Sequence, residues 1–312
     1  MNLVREQKNQ GINAQLVIDG NPTYQTLSLY KQVLDELGTR IINTGDLPTL
    51  LGIAKDFSPA LIHAHSSHTF PLAYNLAKQL HKPLVITCHE PGLNRQEYNH
   101  LLEESAAIFC ISQKVANKLR GFSSKITLTP NGVDIKEFQP KEKSDPIKII
   151  LFSRVDSAKQ KAYDHFCKAA DLLEDVEFYV ASNKKPNSKT AKYLGWPHET
   201  AALLANTDIL AGTGRIAIEG LATGNAVLIL GRTFQGLLIP EKTAKQKITD
   251  VSGLTGADPC FKNIFYDLAK LTQNQIYLRQ LQKSSRELAE KEFCNTKLTR
   301  RVIEVYEEVL RN

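Results

Sequence analysis

A chain of 312 residues is long enough for two domains that each bury a core, and 42% hydrophobic with 23% charged residues excludes disorder and small disulfide frameworks. The net charge of +6 suits an anionic ligand or an acidic membrane face; without an aromatic-basic motif beside it, nucleic acid is not expected as a partner. No uncharged apolar run reaches the ~18 residues of a membrane span, and residues 1–8 lack the apolar core of a secretory leader, so the expected compartment is the cytoplasm. Cys88, Cys110, Cys167, Cys260 and Cys294 are scattered and form no C-x-x-C pair, which points to reduced, mostly buried thiols rather than a disulfide frame or a zinc site.

Short β-branched runs alternate with amphipathic stretches, the pattern of parallel sheets covered by helices. Strands are expected at 14–19, 40–43, 60–64, 83–87, 106–111 and 125–129, with helical periodicity between them, as at 71–80 and at 113–119 behind Ser112 as N-cap. Residues 139–146 (QPKEKSDP) are charged, hold two prolines and have no periodic apolar residue, so they read as a linker and divide the chain into 1–140 and 141–312. A second series follows: strand 147–153, helix 163–173, strand 177–181, helix 199–205, strand 208–211, helix 215–222 and strand 226–230. Residues 274–312 read as two helices broken near 293–296. The class is α/β, in two Rossmann-like halves expected to face each other across a cleft.

Ligands of open parallel sheets bind beyond the carboxyl ends of the strands. The residues there are polar: His65 and Ser66, His89 and Glu90, Arg154, and Gly212, Thr213 and Gly214. Residues 208–219 (DILAGTGRIAIE) form a strand, a glycine turn and a helix start, either a phosphate cradle or an ordinary tight turn. No lysine follows as in a P-loop, and no full G-x-G-x-x-G occurs. Glu219, one turn into the helix, is placed either to take ribose hydroxyls or to face solvent. Arg154 with Lys159 and Lys161 either neutralises a diphosphate or forms a solvated basic loop. His89 can serve as a base, a sugar ligand or a packed core histidine, and His63 is assigned to packing. A metal set from His63, His65 and His68 lacks a carboxylate or cysteine to complete it, and no D-x-D or G-x-S-x-G is present, so neither a metal nor a hydrolase elbow is expected.

Several motifs, in order, resemble the retaining glycosyltransferases of family 4, which have the GT-B fold. They are residues 61–66 (LIHAHS), 82–89 (KPLVITCH), Ile111-Ser112, and Pro130-Asn131-Gly132-Val133-Asp134 with Phe138 and Pro140; then Ser153-Arg154 with Lys161-Ala162-Tyr163-Asp164, residues 193–196 (YLGW), and residues 219–224 (EGLATG). The resemblance implies transfer of a sugar from a UDP-, GDP- or ADP-sugar to a glycan, lipid or small-molecule acceptor with retention, without cofactor or essential metal. It implies Arg154 and Lys161 at the leaving diphosphate, with Lys159 competing for the second role. Gly212, Thr213, Gly214 and Arg215 would lie at the phosphates, Gly195 and Trp196 at the base, Glu219 at the ribose and His89 at the sugar, with His65 and Asn131 as further substrate contacts. The last helix is expected to cross back to the first half, and Lys78, Lys82, Lys114, Lys118 and Arg120 are candidates for peripheral contact with an anionic membrane at its inner face.

Two departures stand against the family pattern. Eight positions before Glu219, where the family has a second glutamate, stands Ala211. The family's first strand and glycine loop have no counterpart, since Met1 falls inside the first helix, and a parallel sheet is expected to lack an interior member. These departures imply an alternative: a nucleotide-binding relative that no longer catalyses and serves as a subunit or partner-binding protein.

Overall fold

The structure is a computed structural model that describes residues 1–20, 24–93, 95–197, 199–243 and 249–311. Its contacts divide the chain into unit 1, residues 1–131 with 295–312, and unit 2, residues 132–294.

Unit 1 begins with α1 (Asn2–Asn9), β1 (Val17–Asp19), α2 (Tyr24–Glu36), β2 (Arg40–Ile42), α3 (Leu47–Phe57) and β3 (Ile62–Ala64). It continues through α4 (Phe70–Leu80), β4 (Leu84–Cys88), α5 (Gln96–Glu104), β5 (Ala107–Cys110), α6 (Gln113–Lys118) and β6 (Ile126–Leu128). Local chemistry fixes the helix starts. Asp46 caps α3 by accepting from the Thr49 amide at 3.0 Å, with Pro48 in the first turn, and Ser112 caps α6 by accepting from the Val115 amide at 3.3 Å. Phe70, Ala73, Leu76 and Ala77 put one buried stripe on α4.

The strands of unit 1 form two separate parallel sheets, a pair β1-β2 and a four-stranded sheet β3-β4-β5-β6. Every residue of β4 and β5 is buried, as a central parallel strand requires. Alternation sends Ile86 and Ile108 to the face covered by Phe70, Leu101 and Leu102, and Val85 and Phe109 to the other face.

Unit 2 holds β7 (Ile147–Ser153), α7 (Gln160–Ala170), β8 (Val176–Ser182), β9 (Lys192–Gly195), α8 (Thr200–Ala205), β10 (Ile209–Gly212) and α9 (Arg215–Ala222). After them come β11 (Ala226–Leu230), β12 (Phe234–Leu237), α10 (Pro240–Thr243), α11 (Phe261–Thr272) and α12 (Gln275–Leu288), which ends in a π-turn over Ala289–Phe293. The sheet order is β12-β11-β10-β7-β8-β9, parallel except for the antiparallel edge strand β12. Along β7, Ile149 and Leu151 enter one core with Phe166, Phe178 and Leu268, while Ile150 and Phe152 enter another with Leu210, Ala217 and Leu221. Before β10, buried Asp208 accepts from the Lys148 amide at 3.0 Å and pairs with Arg279 at 2.9 Å, which locks the amino-terminal edge of the sheet. The chain then returns to unit 1 with α13 (Asn295–Arg311), whose Val302 and Tyr306 cover Val85 and Phe109.

Most elements lie where periodicity places them, and the differences have local causes. Helix α7 starts at Gln160, three residues early, because Asp156 accepts from the Lys159 amide at 3.0 Å and turns the chain there. Strand β9 is exposed along its length, and β12 is a four-residue antiparallel edge, so neither carries an apolar run that periodicity detects. Residues 139–146 have no helix or strand, yet they are not free: Lys143 donates to the carbonyls of Ala205 and Thr207, and Pro140 packs on Gly224. All five cysteines are free thiols, Cys260 partly buried and the rest buried.

Candidate functional site

In unit 2 the connections run outward from β7 through β8 to β9, and then return to β10, which lies on the other side of β7. This is a topological switch point, and the crevice at the carboxyl ends of β7 and β10 is where such sheets hold ligands. Arg154 follows β7 directly and is exposed. Its loop is held by Asn183, which accepts from the Val155 amide at 2.7 Å and donates to the Val155 carbonyl at 3.1 Å. Lys159 reaches back to the Arg154 carbonyl at 3.4 Å, whereas Lys161, one residue into α7, is engaged by Asp258. The switch-point loop therefore carries Arg154 with Lys159 beside it.

On the β10 side, Gly212 is needed for close approach: a Cβ there would stand 3.0 Å from the Phe152 carbonyl and 2.6 Å from Ile216 Cγ2. Gly214 is the N-cap of α9, at φ +61° and ψ −130°, a conformation natural only to glycine. Its amide donates to the Val251 carbonyl at 2.7 Å, and it brings no capping side chain. The amides of Arg215, Ile216 and Ala217 consequently open the helix without an intrahelical acceptor, an arrangement that favours an anion. The Thr213 methyl lies against Gly231 and Gly253, where a Cβ would come within 3.0 Å and 2.4 Å of it.

Glu219 is 3% exposed, so the solvated reading of this residue is wrong. Its Oε1 accepts from Arg215 Nε at 2.6 Å and its Oε2 from the Thr200 hydroxyl at 3.1 Å. Burial pushes the carboxyl above its ordinary value, and Arg215 and Thr200 pull it partly back. Trp196 is exposed and meets Phe152, near the end of β7, edge-to-face at 5.3 Å, and Gly195 just before it turns at φ +67°. Ala211 is fully buried in the sheet, in register with Leu151 and Leu228. The structure thus gathers Arg154, Lys159, Gly195, Trp196, Gly212, Thr213, Gly214, Arg215 and Glu219 at one end of the unit 2 sheet. The supporting groups Asn183, Thr200, Val251, Gly231, Gly253 and Asp258 escape sequence reading because each acts through a contact distant along the chain.

In unit 1, His65 and His89 follow β3 and β4, and Asn131 is exposed beyond β6. His63, His65 and His89 form a row with ring centroids 4.1 Å and 5.8 Å apart. His63 spends one nitrogen on Tyr306 and the other on the Thr87 hydroxyl at 2.7 Å, and Gln7 donates to Tyr306 at 3.1 Å. It is a packing residue with both nitrogens occupied, which removes it from a metal set. Desolvation, with the charge of His65 and His89, holds His63 well below its ordinary value; His65, though exposed, is lowered in the same direction, and desolvation also lowers His89, against the charge of Glu90. Among the described residues no helix is long and apolar enough to cross a membrane.

Residues 1–137 match the family described as Glycosyltransferase Family 4. No curated protein sequence matches the chain. Among solved structures, a glycosyltransferase from Rickettsia africae is similar at TM-score 0.75 and 15% identity, over 100% of this chain and 94% of that one. HepE of Anabaena, solved with UDP and glucose, is similar at TM-score 0.71 and 12% identity, over 98% of this chain and 95% of that one. Sucrose-phosphate synthase from Thermosynechococcus elongatus is similar at TM-score 0.69 and 14% identity, over 99% and 92% of the two chains. The α/β fold of two Rossmann-like units is the GT-B fold of these enzymes.

Proposed function

We infer, from a chain whose first 137 residues carry the glycosyltransferase family 4 domain and whose whole length has the GT-B fold, that it is a glycosyltransferase using a nucleoside-diphosphate sugar. The observation that carries the reading is the unit 2 switch point, where two basic side chains, three open helix amides and a buried carboxylate share one sheet end. The amides of α9 with Arg154 and Lys159 meet the diphosphate, Glu219 accepts ribose hydroxyls, and Trp196 offers a ring edge or face to the base. As the bond from the sugar to the diphosphate breaks, negative charge gathers on the departing phosphate, and fixed positive charge and amide dipoles lower that barrier. Because the chain itself supplies this positive charge, we assign the reaction no essential metal or cofactor; retention follows from the family resemblance. His89, His65 and Asn131 are assigned as sugar or acceptor contacts within unit 1. A lipid acceptor would be met through Lys78, Lys82, Lys114, Lys118 and Arg120.

A second reading is favoured by Ala211: the position eight before Glu219 holds a buried methyl and offers no carboxylate to a sugar. In that reading the chain binds nucleotide without turning it over. The test is titration with UDP, GDP and ADP, followed by donor turnover for the matching sugar nucleotides in the presence of chelator. Transfer that persists with chelator and falls roughly 10²–10³-fold in Arg154→Ala is expected. Binding without turnover selects the second reading, and no nucleotide binding overturns both.

A further inference from the structure

The cations at the carboxyl edge of the unit 2 sheet are unevenly paired. Lys161 is engaged by Asp258 and Arg215 by Glu219, whereas Lys159 has only the Arg154 carbonyl and Arg154 has no carboxylate among the described residues. A further cation stands one strand beyond them. Arg232 is the tip of the turn that joins β11 to β12: the Gly231 amide donates to the Thr233 carbonyl at 2.9 Å, and Leu230 pairs with Phe234 across the turn. Arg232 is exposed, and among the described residues its side chain has neither a hydrogen bond nor an ion pair. The turn itself is fixed. Thr233 donates to the Gly253 carbonyl from its amide at 3.1 Å and from its hydroxyl at 2.9 Å, and Gly231 packs on the Thr213 methyl, which a Cβ at Gly231 would meet at 3.0 Å. We propose that Arg232 reads a carboxylate on the glycosyl group of the donor, so that the donor is a nucleoside-diphosphate hexuronate rather than a neutral hexose. This deepens the reading of the unit 2 switch point as a nucleotide site and rests on it.

Three observations select that chemistry. The first is order along the edge. Strands β9, β8, β7, β10 and β11 are neighbours in that sequence and all parallel, so their carboxyl ends form a row at spacings of ~4.8 Å. With the base at Gly195 and Trp196 beyond β9 and the diphosphate between Arg154 and the glycine turn, the group on the outer phosphate falls toward β11 and Arg232. The second is the set of polar partners. Ala211 at the end of β10 contributes a buried methyl, and the carboxylates around the turn are already occupied. Glu219 is held by Arg215, Asp258 by Lys161, and Asp250 by the Ser252 amide at 2.9 Å and the Thr255 hydroxyl at 2.7 Å. A neutral sugar hydroxyl both donates and accepts, and this end of the row offers an unpaired donor without a free carboxylate beside it. The third is charge. Arg154 and Lys159, with the open amides of α9, answer the two phosphates, and Arg232 is left as a surplus cation. A guanidinium fits a carboxylate with two parallel hydrogen bonds, a geometry that a hydroxyl does not reproduce.

The test is calorimetric titration of the 312-residue chain with UDP, with UDP-glucose and UDP-galactose, and with UDP-glucuronate and UDP-galacturonate. The GDP or ADP counterparts are used if the nucleotide titration selects another base. One hexuronate is expected to bind at least tenfold more tightly than its hexose, with a preference that narrows as salt is raised, because the guanidinium is exposed. Arg232→Gln is expected to bring the hexuronate down to the affinity of the hexose, and Arg232→Lys to restore part of the difference. Equal affinity for hexose and hexuronate overturns the proposal and leaves the nucleotide site standing. So does a preference that survives in Arg232→Gln, or a loss in that variant of the same size for UDP, hexose and hexuronate, which would put Arg232 at the diphosphate. Failure of every nucleotide to bind overturns the nucleotide site and this proposal with it.

Discussion

Glu219 offers a direct test of the proposed nucleotide site. Its carboxylate is nearly inaccessible and is held by Arg215 and Thr200, and the proposed function assigns it to ribose hydroxyls rather than to phosphate. Glu219→Gln keeps the shape and the Thr200 contact but removes the charge. It is expected to weaken binding of the nucleoside diphosphate selected by the titration above by about 1.4 kcal/mol, or tenfold, while leaving pyrophosphate binding unchanged; calorimetric titration with the two ligands checks this. Because burial raises the carboxyl's pKa, the folded chain gives up stability as pH rises through the ionisation of Glu219, and the glutamine variant loses that dependence. At the same scale, Lys159 and Lys161 are indistinguishable by sequence. The structure sets Lys159 on the Arg154 carbonyl and Lys161 against Asp258, so Lys159→Ala is expected to reduce nucleotide affinity more than Lys161→Ala in the same titration.

At the scale of elements, α9 matters through how it begins. Gly214 anchors its amide on Val251 in a conformation closed to other residues, and no atom lies within 4 Å of the space a Cβ would take. Gly214→Ala therefore acts through strain and not through crowding. A destabilisation of ~1–3 kcal/mol is expected, with weakened diphosphate binding, measured by denaturant unfolding and titration. The strand-turn-helix of residues 208–219 was legible in the sequence because glycine spacing and apolar periodicity are local signals. The uncapped state of α9 was not, because the group that takes the Gly214 amide lies 37 residues away, at Val251. The edge strands β9 and β12 were missed for a related reason: an exposed strand is defined by its neighbour's hydrogen bonds and carries no apolar pattern.

At the scale of the whole molecule, each unit holds a titratable group pushed toward its neutral form, His63 downward in unit 1 and Glu219 upward in unit 2. His63 is tied to Tyr306, Thr87 and, through Tyr306, Gln7, so α1, β3, β4 and α13 of unit 1 meet on a neutral imidazole. A histidine held below its ordinary 6.5 contributes stability above that value and loses it as pH falls. Unit 1 is thus expected to lose amide protection between about pH 7 and pH 5. In unit 2 the Glu219 contribution runs the other way, acid relieving the cost of its buried charge. Hydrogen exchange resolved by unit at the two pH values checks the difference, and His63→Asn is expected to flatten the unit 1 response.

The sequence by itself determined the α/β class, most strand and helix positions and the candidate phosphate turn, because hydrophobic period, caps and glycine spacing are properties of neighbouring residues. It also marked Arg154, His89 and Glu219 as the residues to watch, through their place after strands and through family resemblance. Only the tertiary structure decided that Glu219 is buried rather than solvated, that Lys159 rather than Lys161 stands at Arg154, and that the sheet of unit 1 comes in two pieces. Burial, ion pairing and sheet registration depend on which distant segments meet, and no local pattern in the chain encodes that meeting.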